Sequence, residues 1–340
     1  MTHSHLKELL TSFSDLSILV VGDFFLDRYL VVDPGLAETS LETGLEARQV
    51  VQVRNLPGAA GTVTGNLNAL GVGQIRALGV IGDDGQGYDL KAGLRASGVD
   101  TRDLMEVSSR ATPTYTKPVL TTTGKEMERL DIKNRSPLPR RVEDRVLATL
   151  ERLLGEVHGV IILDQVQERN CGVITDRVRE GIARLAPAYP DVVILADSRS
   201  HIGLFRNVTV KVNREEAIEA VSMDSLAEAV NCLDAAIRSF LDRTGRPVYV
   251  TLGPEGILCA DGEATDLVPG IPVPGPIDIV GAGDSVSAGI VSALCAGASC
   301  ADAARVGVLV SSITIQQIGT TGTASPEQVL QRFEESKQDF

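Results

Sequence analysis

Ile277-Asp278-Ile279-Val280-Gly281-Ala282-Gly283-Asp284-Ser285 joins a glycine-rich bend, a carboxylate and the start of an apolar helix. Gly281 and Gly283 let the backbone turn without Cβ clashes, and the run Val286–Leu294 reads as a helix. The N-terminus of that helix offers unpaired amides and the positive end of a dipole, which together suit a phosphate whose charge grows during transfer. Asp284 sits at the mouth of this anion site. A carboxylate there repels a resting phosphate, so it makes more chemical sense as a base taking a proton from an acceptor hydroxyl. The alternative is an Asp that merely caps the helix after a Gly turn.

Outward from this stretch, apolar runs of strand length alternate with segments of helical period. Strands are expected at Ile18–Gly22, Ile75–Ile81, Gly159–Asp164, Val192–Asp197, Thr209–Asn213 and Val248–Leu252. Helices are expected at Thr62–Leu70, Tyr88–Ser97, Val173–Leu185 and Ser225–Leu241. The alternation predicts a parallel sheet covered by helices. Ligands bind outside the carboxyl ends of such strands, where Asp23, Asp164, Asp197, Asn213 and Gly253 fall. Two segments break the pattern, Glu46–Asn55 and Thr112–Lys133. Both are rich in Val and Thr and read as a small separate sheet, a lid over the cleft whose apolar face predicts a homodimer formed through it.

With 340 residues, 43% of them hydrophobic, the chain can bury a large core. A net charge of -13, from 45 acids against 32 bases, argues against nucleic acid or an anionic membrane as partner. No apolar run approaches the roughly 20 residues that span a bilayer, and Met1–Leu10 carries His, Lys and Glu where a secretion signal would be apolar, so a cytoplasmic location is expected. The five cysteines form no CxxC pair and the four histidines no metal spacing, so neither type is assigned a catalytic role.

Further motifs line up along the chain. Thr251-Leu252-Gly253-Pro254-Glu255-Gly256 is a strand end running into a glycine loop, suited to close approach of backbone amides to a nucleotide. Asn213 and Glu216, three apart at another strand end, can hold a water-ligated Mg²⁺ or form a capping box. Asp27 is placed to accept two sugar hydroxyls, or else belongs to a surface loop with Arg28. Gly58, Ala59 and Thr62 lie in a run of small residues entering a helix, where a substrate can approach the backbone or helices pack tightly.

Taken in order, these features resemble the PfkB, or ribokinase-like, family of carbohydrate kinases over nearly the whole chain. Within it the chain looks most like the kinases of D-glycero-β-D-manno-heptose 7-phosphate, through Gly22–Tyr29, Thr112–Lys117, Glu128–Asp131 and Ile318–Pro326. The resemblance implies one ribokinase-like domain over residues 1–340: a three-layer α/β/α sandwich on a mostly parallel sheet, with a β lid over about 28–56 and 111–135. It implies ATP and Mg²⁺ as cofactors and a sugar as acceptor. Asp284 becomes the catalytic base, the amides of Ala282, Gly283 and Asp284 the anion hole, and Asn213 and Glu216 the Mg²⁺ organisers. Asp27 and the Gly58 region take the sugar, while Asp197, Arg199, Asn213, Thr251, Gly253 and Gly256 lie in the nucleotide site. Asp278 matches a position that helps bind an activating monovalent cation, K⁺ being the candidate. The chain also departs from the pattern. The usual Gly-Gly-x-x-x-Asn is Gly58-Ala59-Ala60-Gly61-Thr62 here, Asp-Tyr-x-Lys-Gly is Asp164-Gln165-Val166-Gln167-Glu168, and an expected Arg is Glu38. The loss of basic groups weighs against a phosphorylated sugar. A nucleoside kinase of the same family and a non-catalytic sugar or nucleotide sensor are the alternatives. A nicotinamide-dependent dehydrogenase is the third, against which stands the lack of GxGxxG at Gly22-Asp23-Phe24 after the first strand.

Overall fold

The computed structural model of the chain describes residues 1–222, 232–262, 264–319 and 321–336. Within them the elements run α1 (His3–Ser12), β1 (Ser17–Gly22), β2 (Phe24–Thr39), β3 (Glu46–Ala59), α2 (Ala60–Ala69), β4 (Gln74–Gly82), α3 (Gly85–Ala96), β5 (Val99–Asp100), β6 (Leu104–Val107), β7 (Thr114–Leu120) and β8 (Leu130–Ile132). There follow α4 (Arg140–Leu154), β9 (Gly159–Asp164), α5 (Asp176–Leu185), β10 (Val193–Ser198), β11 (Thr209–Asn213), α6 (Arg214–Ser222), α7 (Cys232–Thr244), β12 (Val248–Thr251), β13 (Gly256–Ala260), β14 (Thr265–Pro269), α8 (Ala282–Cys295), α9 (Cys300–Thr314) and α10 (Pro326–Ser336).

The main sheet has the order β14-β13-β12-β11-β10-β9-β1-β4-β5, with β6 also paired to β4. Pairing is parallel from β5 and β6 through β12, and β13 and β14 add an antiparallel edge. Alternation within the strands makes the layers. Ile18 and Val20 of β1 and Ile161 and Leu163 of β9 enter a core shared with α2, α8 and α9. Leu19, Val21, Val160 and Ile162 point the other way, into a core shared with α4 and α5. A strand buried on both faces needs a helical layer on each side, which gives the three-layer ribokinase-like sandwich. Among the described residues no helix is long and apolar enough to cross a membrane.

A second sheet, in the order β3-β2-β7-β8, stands apart from the first. The segment after β1 is a long strand that carries Asp27 and Arg28 into the β lid, so the surface-loop alternative for that pair does not hold, and only Asp23 separates β1 from β2. The small residues at 57–59, read as the approach to a helix, continue β3 until α2 begins at Ala60. The helix expected from Val173 starts at Asp176, because Thr175 Oγ1 caps it by accepting from Val178 N at 3.2 Å. Of the helix expected over Ser225–Leu241, Cys232 onward is α7 and residues 225–231 lie outside the described residues. The sequence reading passed over α4, although Val142, Val146, Leu150, Leu153 and Leu154 repeat at helical spacing and are buried.

Candidate active site

Gly281 is the hinge of the site. It caps α8 in the left-handed region at φ 80, where a residue with a Cβ is strained. The turn it makes is closed by Ala282 N donating to Ile279 O at 3.1 Å. Of the three amides expected in the anion hole, Ala282's is therefore already engaged. Those of Gly283 and Asp284 have no acceptor among the described residues and face out of the helix start. Asp284 is the third residue of α8 and does not cap it, the cap position belonging to Gly281. Its half-buried carboxylate makes no hydrogen bond among the described residues. Burial above all, then the nearby Asp197, pushes it up to about 7, against the pull of Lys211 and Arg199, while Asp27 adds a smaller upward push.

Strands β10 and β11 deliver the charges beneath that turn. Asp197, expected in the nucleotide site, is buried; it pairs with Lys211 Nζ at 2.5 Å and accepts from Ser287 Oγ at 3.2 Å. Arg199 lies just past the strand end and is exposed. Lys211 was missed in the sequence, although one cation inside the apolar strand Thr209-Val210-Lys211-Val212-Asn213 is itself a signal.

The small sheet brings the expected acceptor residues to the same cleft. Asp27 on β2 pairs with Lys117 of β7 at 3.3 Å and is close enough to Asp284 to oppose its ionisation. Thr62 Cγ2 lies 3.4 Å from where a Cβ on Gly281 would sit, so the start of α2 abuts the start of α8. Gly58 pairs with Phe25 across β2 and β3, and Ala59 beside it has φ 52, a value that suits glycine.

On the nucleotide side, Asn213 and Glu216 form the capping box that their spacing allows. Asn213 N donates to Glu216 Oε2 at 2.9 Å and Glu216 N to Asn213 Oδ1 at 2.8 Å. Glu216 Oε1 accepts no hydrogen bond among the described residues, and burial pushes this carboxyl above its ordinary value. Thr251 Oγ1 donates to Val212 O at 3.3 Å. Gly253 has φ 60 in the exposed loop after β12. Gly256 lacks a side chain for reasons of packing, since a Cβ there would meet Val268 O at 2.0 Å. Asp278 accepts from Val280 N at 3.0 Å and Gly319 N at 3.1 Å, tying two loops together beside the helix start.

A cavity of ≈ 110 Å³, unforeseen from the sequence, opens between the small sheet and the end of β9. Arg110, Arg129, Lys133 and Arg199 line it, together with Asp23 and Glu168. Arg110 is buried, donates to Ser136 O and Cys171 O, and its Nε has no partner among the described residues. The cations come from three separated segments, Arg129 and Lys133 flanking β8, which is why no motif announces them.

This arrangement has known relatives. A bifunctional protein HldE from Trichlorobacter lovleyi is 28% identical over 335 residues, covering 97% of this chain and 65% of the relative. The chain thus spans about 65% of the length of the curated relatives it matches. Phosphofructokinase-2 from Escherichia coli, crystallised with potassium, superposes with a TM-score of 0.70 at 19% identity over 95% of this chain and 99% of its own. Ribokinase from Thermotoga maritima does so with 0.67 at 20% over 94% and 99%. These likenesses establish the ribokinase-like fold. A sequence profile of the pfkB family carbohydrate kinases matches residues 17–328, so the chain belongs to the pfkB family of ATP-dependent carbohydrate kinases.

Proposed function

We propose that the protein transfers the γ-phosphoryl group of ATP to a hydroxyl of a phosphorylated sugar of the heptose 7-phosphate type. The observation that carries this reading is the Asp284 carboxylate, without a hydrogen bond among the described residues and pushed up to about 7 beside two open amides. Asp284 takes the proton of the acceptor hydroxyl, its oxygen attacks the γ-phosphorus, and the bond to the β-phosphate oxygen breaks to release ADP. The Gly283 and Asp284 amides and the positive end of α8 receive the charge of the moving phosphoryl group. Asp27 orients the acceptor. Arg199, exposed between Asp284 and the cavity, links the reacting end to a chamber whose basic lining suits a phosphate.

The unpartnered Nε of Arg110 and the side chains of Arg129 and Lys133 fit the distal phosphate of the acceptor. They offset the missing basic groups at Gln165–Glu168. Glu216 Oε1 and Asn213 fit an ion that keeps most of its waters, in keeping with the absence of any cluster of three metal-ligating side chains among the described residues. Mg²⁺ there supplies charge neutralisation of the ATP phosphates. Thr251, Gly253 and Gly256 shape the nucleotide side, with Asp197 as support beneath it. Asp278 fits a monovalent cation through its place beside the helix start, with K⁺ expected to raise turnover over Na⁺.

The small sheet acts as a lid on one domain spanning the chain. Its exposed Val50, Val51, Val53 and Leu130 favour a homodimer formed through this sheet. An ADP-release screen tests the function, using heptose, hexose and pentose acceptors with and without phosphate, plus nucleosides. The phosphorylated heptose should lead. A preference for nucleosides would return the reading to a nucleoside kinase, and binding without ADP release to a sensor.

A further inference from the structure

Lys211 is an unexpected residue where it stands. It lies on a strand whose neighbours Val210 and Val212 are fully buried, directly under the N-terminus of α8. A cation is disfavoured both by burial and by the positive end of a helix dipole. Its ammonium nevertheless donates to Asp197 Oδ2 at 2.5 Å and to the Gly283 carbonyl in the first turn of α8 at 3.4 Å. Asp197 in turn holds Ser287, one turn further along the same helix, at 3.2 Å. The pair thus grips α8 at two successive turns, on either side of Asp284.

We infer that Lys211 is a positioning residue for phosphoryl transfer: bonded to Asp197 and Gly283, it fixes the first turn of α8 and cancels the charge of Asp197, so that Asp284 can ionise. This rests on the reading of Asp284 as the base. The charged groups facing Asp284 are Asp197 and Arg199 from β10, Lys211 from β11 and Asp27 from β2, with Glu216 of α6 facing Lys211. Burial and both carboxylates oppose ionisation, and of the charged side chains facing Asp284 it is Lys211 and Arg199 that favour it. Arg199 is exposed and lines the cavity, where an acceptor phosphate would share its charge. Lys211 is enclosed, and its effect persists whatever is bound.

The test is ¹³C carboxyl NMR on protein labelled at aspartate, with the Asp284 signal identified by its loss in Asp284→Asn. In Lys211→Met the Asp284 midpoint should rise by about one unit or more, equivalent to about tenfold less ionised base near neutrality. Because this variant leaves Asp197 buried and unpaired, the charge-neutral double variant Asp197→Asn/Lys211→Met is measured beside it. Its midpoint should return to within about half a unit of wild type, since the opposing charges go together. An unmoved midpoint in folded Lys211→Met, or a double variant that stays as high as the single, overturns the inference. ADP release with heptose 7-phosphate supplies the second readout. Lys211→Met should lose kcat near pH 7 and regain it at higher pH, with the KM for ATP little changed. A raised KM for ATP with the pH profile unmoved would make Lys211 a nucleotide ligand instead. Near-normal turnover in Asp284→Asn would sink the base assignment itself, a result separate from either of these.

Discussion

In the proposed reaction the chemistry concentrates in one side chain, Asp284, and its environment fixes how it should behave. A carboxyl raised to about 7 is protonated below that pH and works as a base above it, so kcat should climb through the range around pH 7 and then level off. Replacing Asp284 with Asn should cut kcat by about 10²–10⁴-fold or more and leave ATP affinity close to wild type, which turnover and binding titrations check. The same shift carries a stability cost. Between the ordinary carboxyl range and about 7, the unfolded chain gives up this proton while the folded one keeps it, so stability falls as pH rises across that window. Asp284→Asn should therefore melt higher than wild type at pH 8, and the difference should vanish near pH 4. Equal melting temperatures at pH 8 would mean that the native fold does not hold Asp284 protonated. Ala59 carries a second local cost, in a backbone conformation with φ 52. Ala59→Gly should gain about 0.5–1 kcal/mol in denaturant unfolding, the relieved strain being partly offset by the freer unfolded chain.

Elements place these residues more than they resemble them. The capping box at the start of α6 uses the same Asn213 and Glu216 that are proposed to hold Mg²⁺ through water, and substitution can separate the two tasks. Glu216→Gln keeps an acceptor for the Asn213 amide, so it should melt near wild type yet need more Mg²⁺ for half-maximal turnover. Glu216→Ala should also lose about 1 kcal/mol of stability with the cap. Wild-type Mg²⁺ dependence in both variants would reduce the motif to its cap. At the start of α8 the glycine bend, legible in the sequence, performs the expected turn. What the sequence did not reveal is that this turn consumes the Ala282 amide, because hydrogen-bond closure depends on where the Ile279 carbonyl points.

At the scale of the whole molecule, the proposed acceptor site lies where the two sheets meet. Arg110, Arg129 and Lys133 reach the cavity from the small sheet and its flanks, and Arg199 from the main sheet. Arg129→Ala/Lys133→Ala should raise the KM for a phosphorylated acceptor by about tenfold or more while changing little for the unphosphorylated sugar, since a charge-assisted contact is worth about 1.5–3 kcal/mol. Equal losses with both acceptors would remove the phosphate from this chamber. The exposed valines of β3 provide the matching test of assembly. Val53→Glu should shift the sedimentation of the protein from dimer to monomer, and a monomeric wild type would sink the proposed interface.

The sequence by itself determined the main sheet and the α8 turn, because these rest on local signals: the continuous apolar runs of strands buried on both faces and the backbone freedom of glycine at a helix start. It left α4 unread although its apolar spacing was plain, and it left the start of β2 open between a sugar-binding strand end and a surface loop, because a strand of the small sheet, mostly half-buried or exposed beyond Leu26, lacks a continuous apolar run. Only the tertiary structure decided the basic cavity and the Lys211–Asp197 pair. Each depends on charges from segments distant in the chain meeting at low solvent exposure, and the strength of such encounters is set by distance and burial, which no stretch of sequence contains.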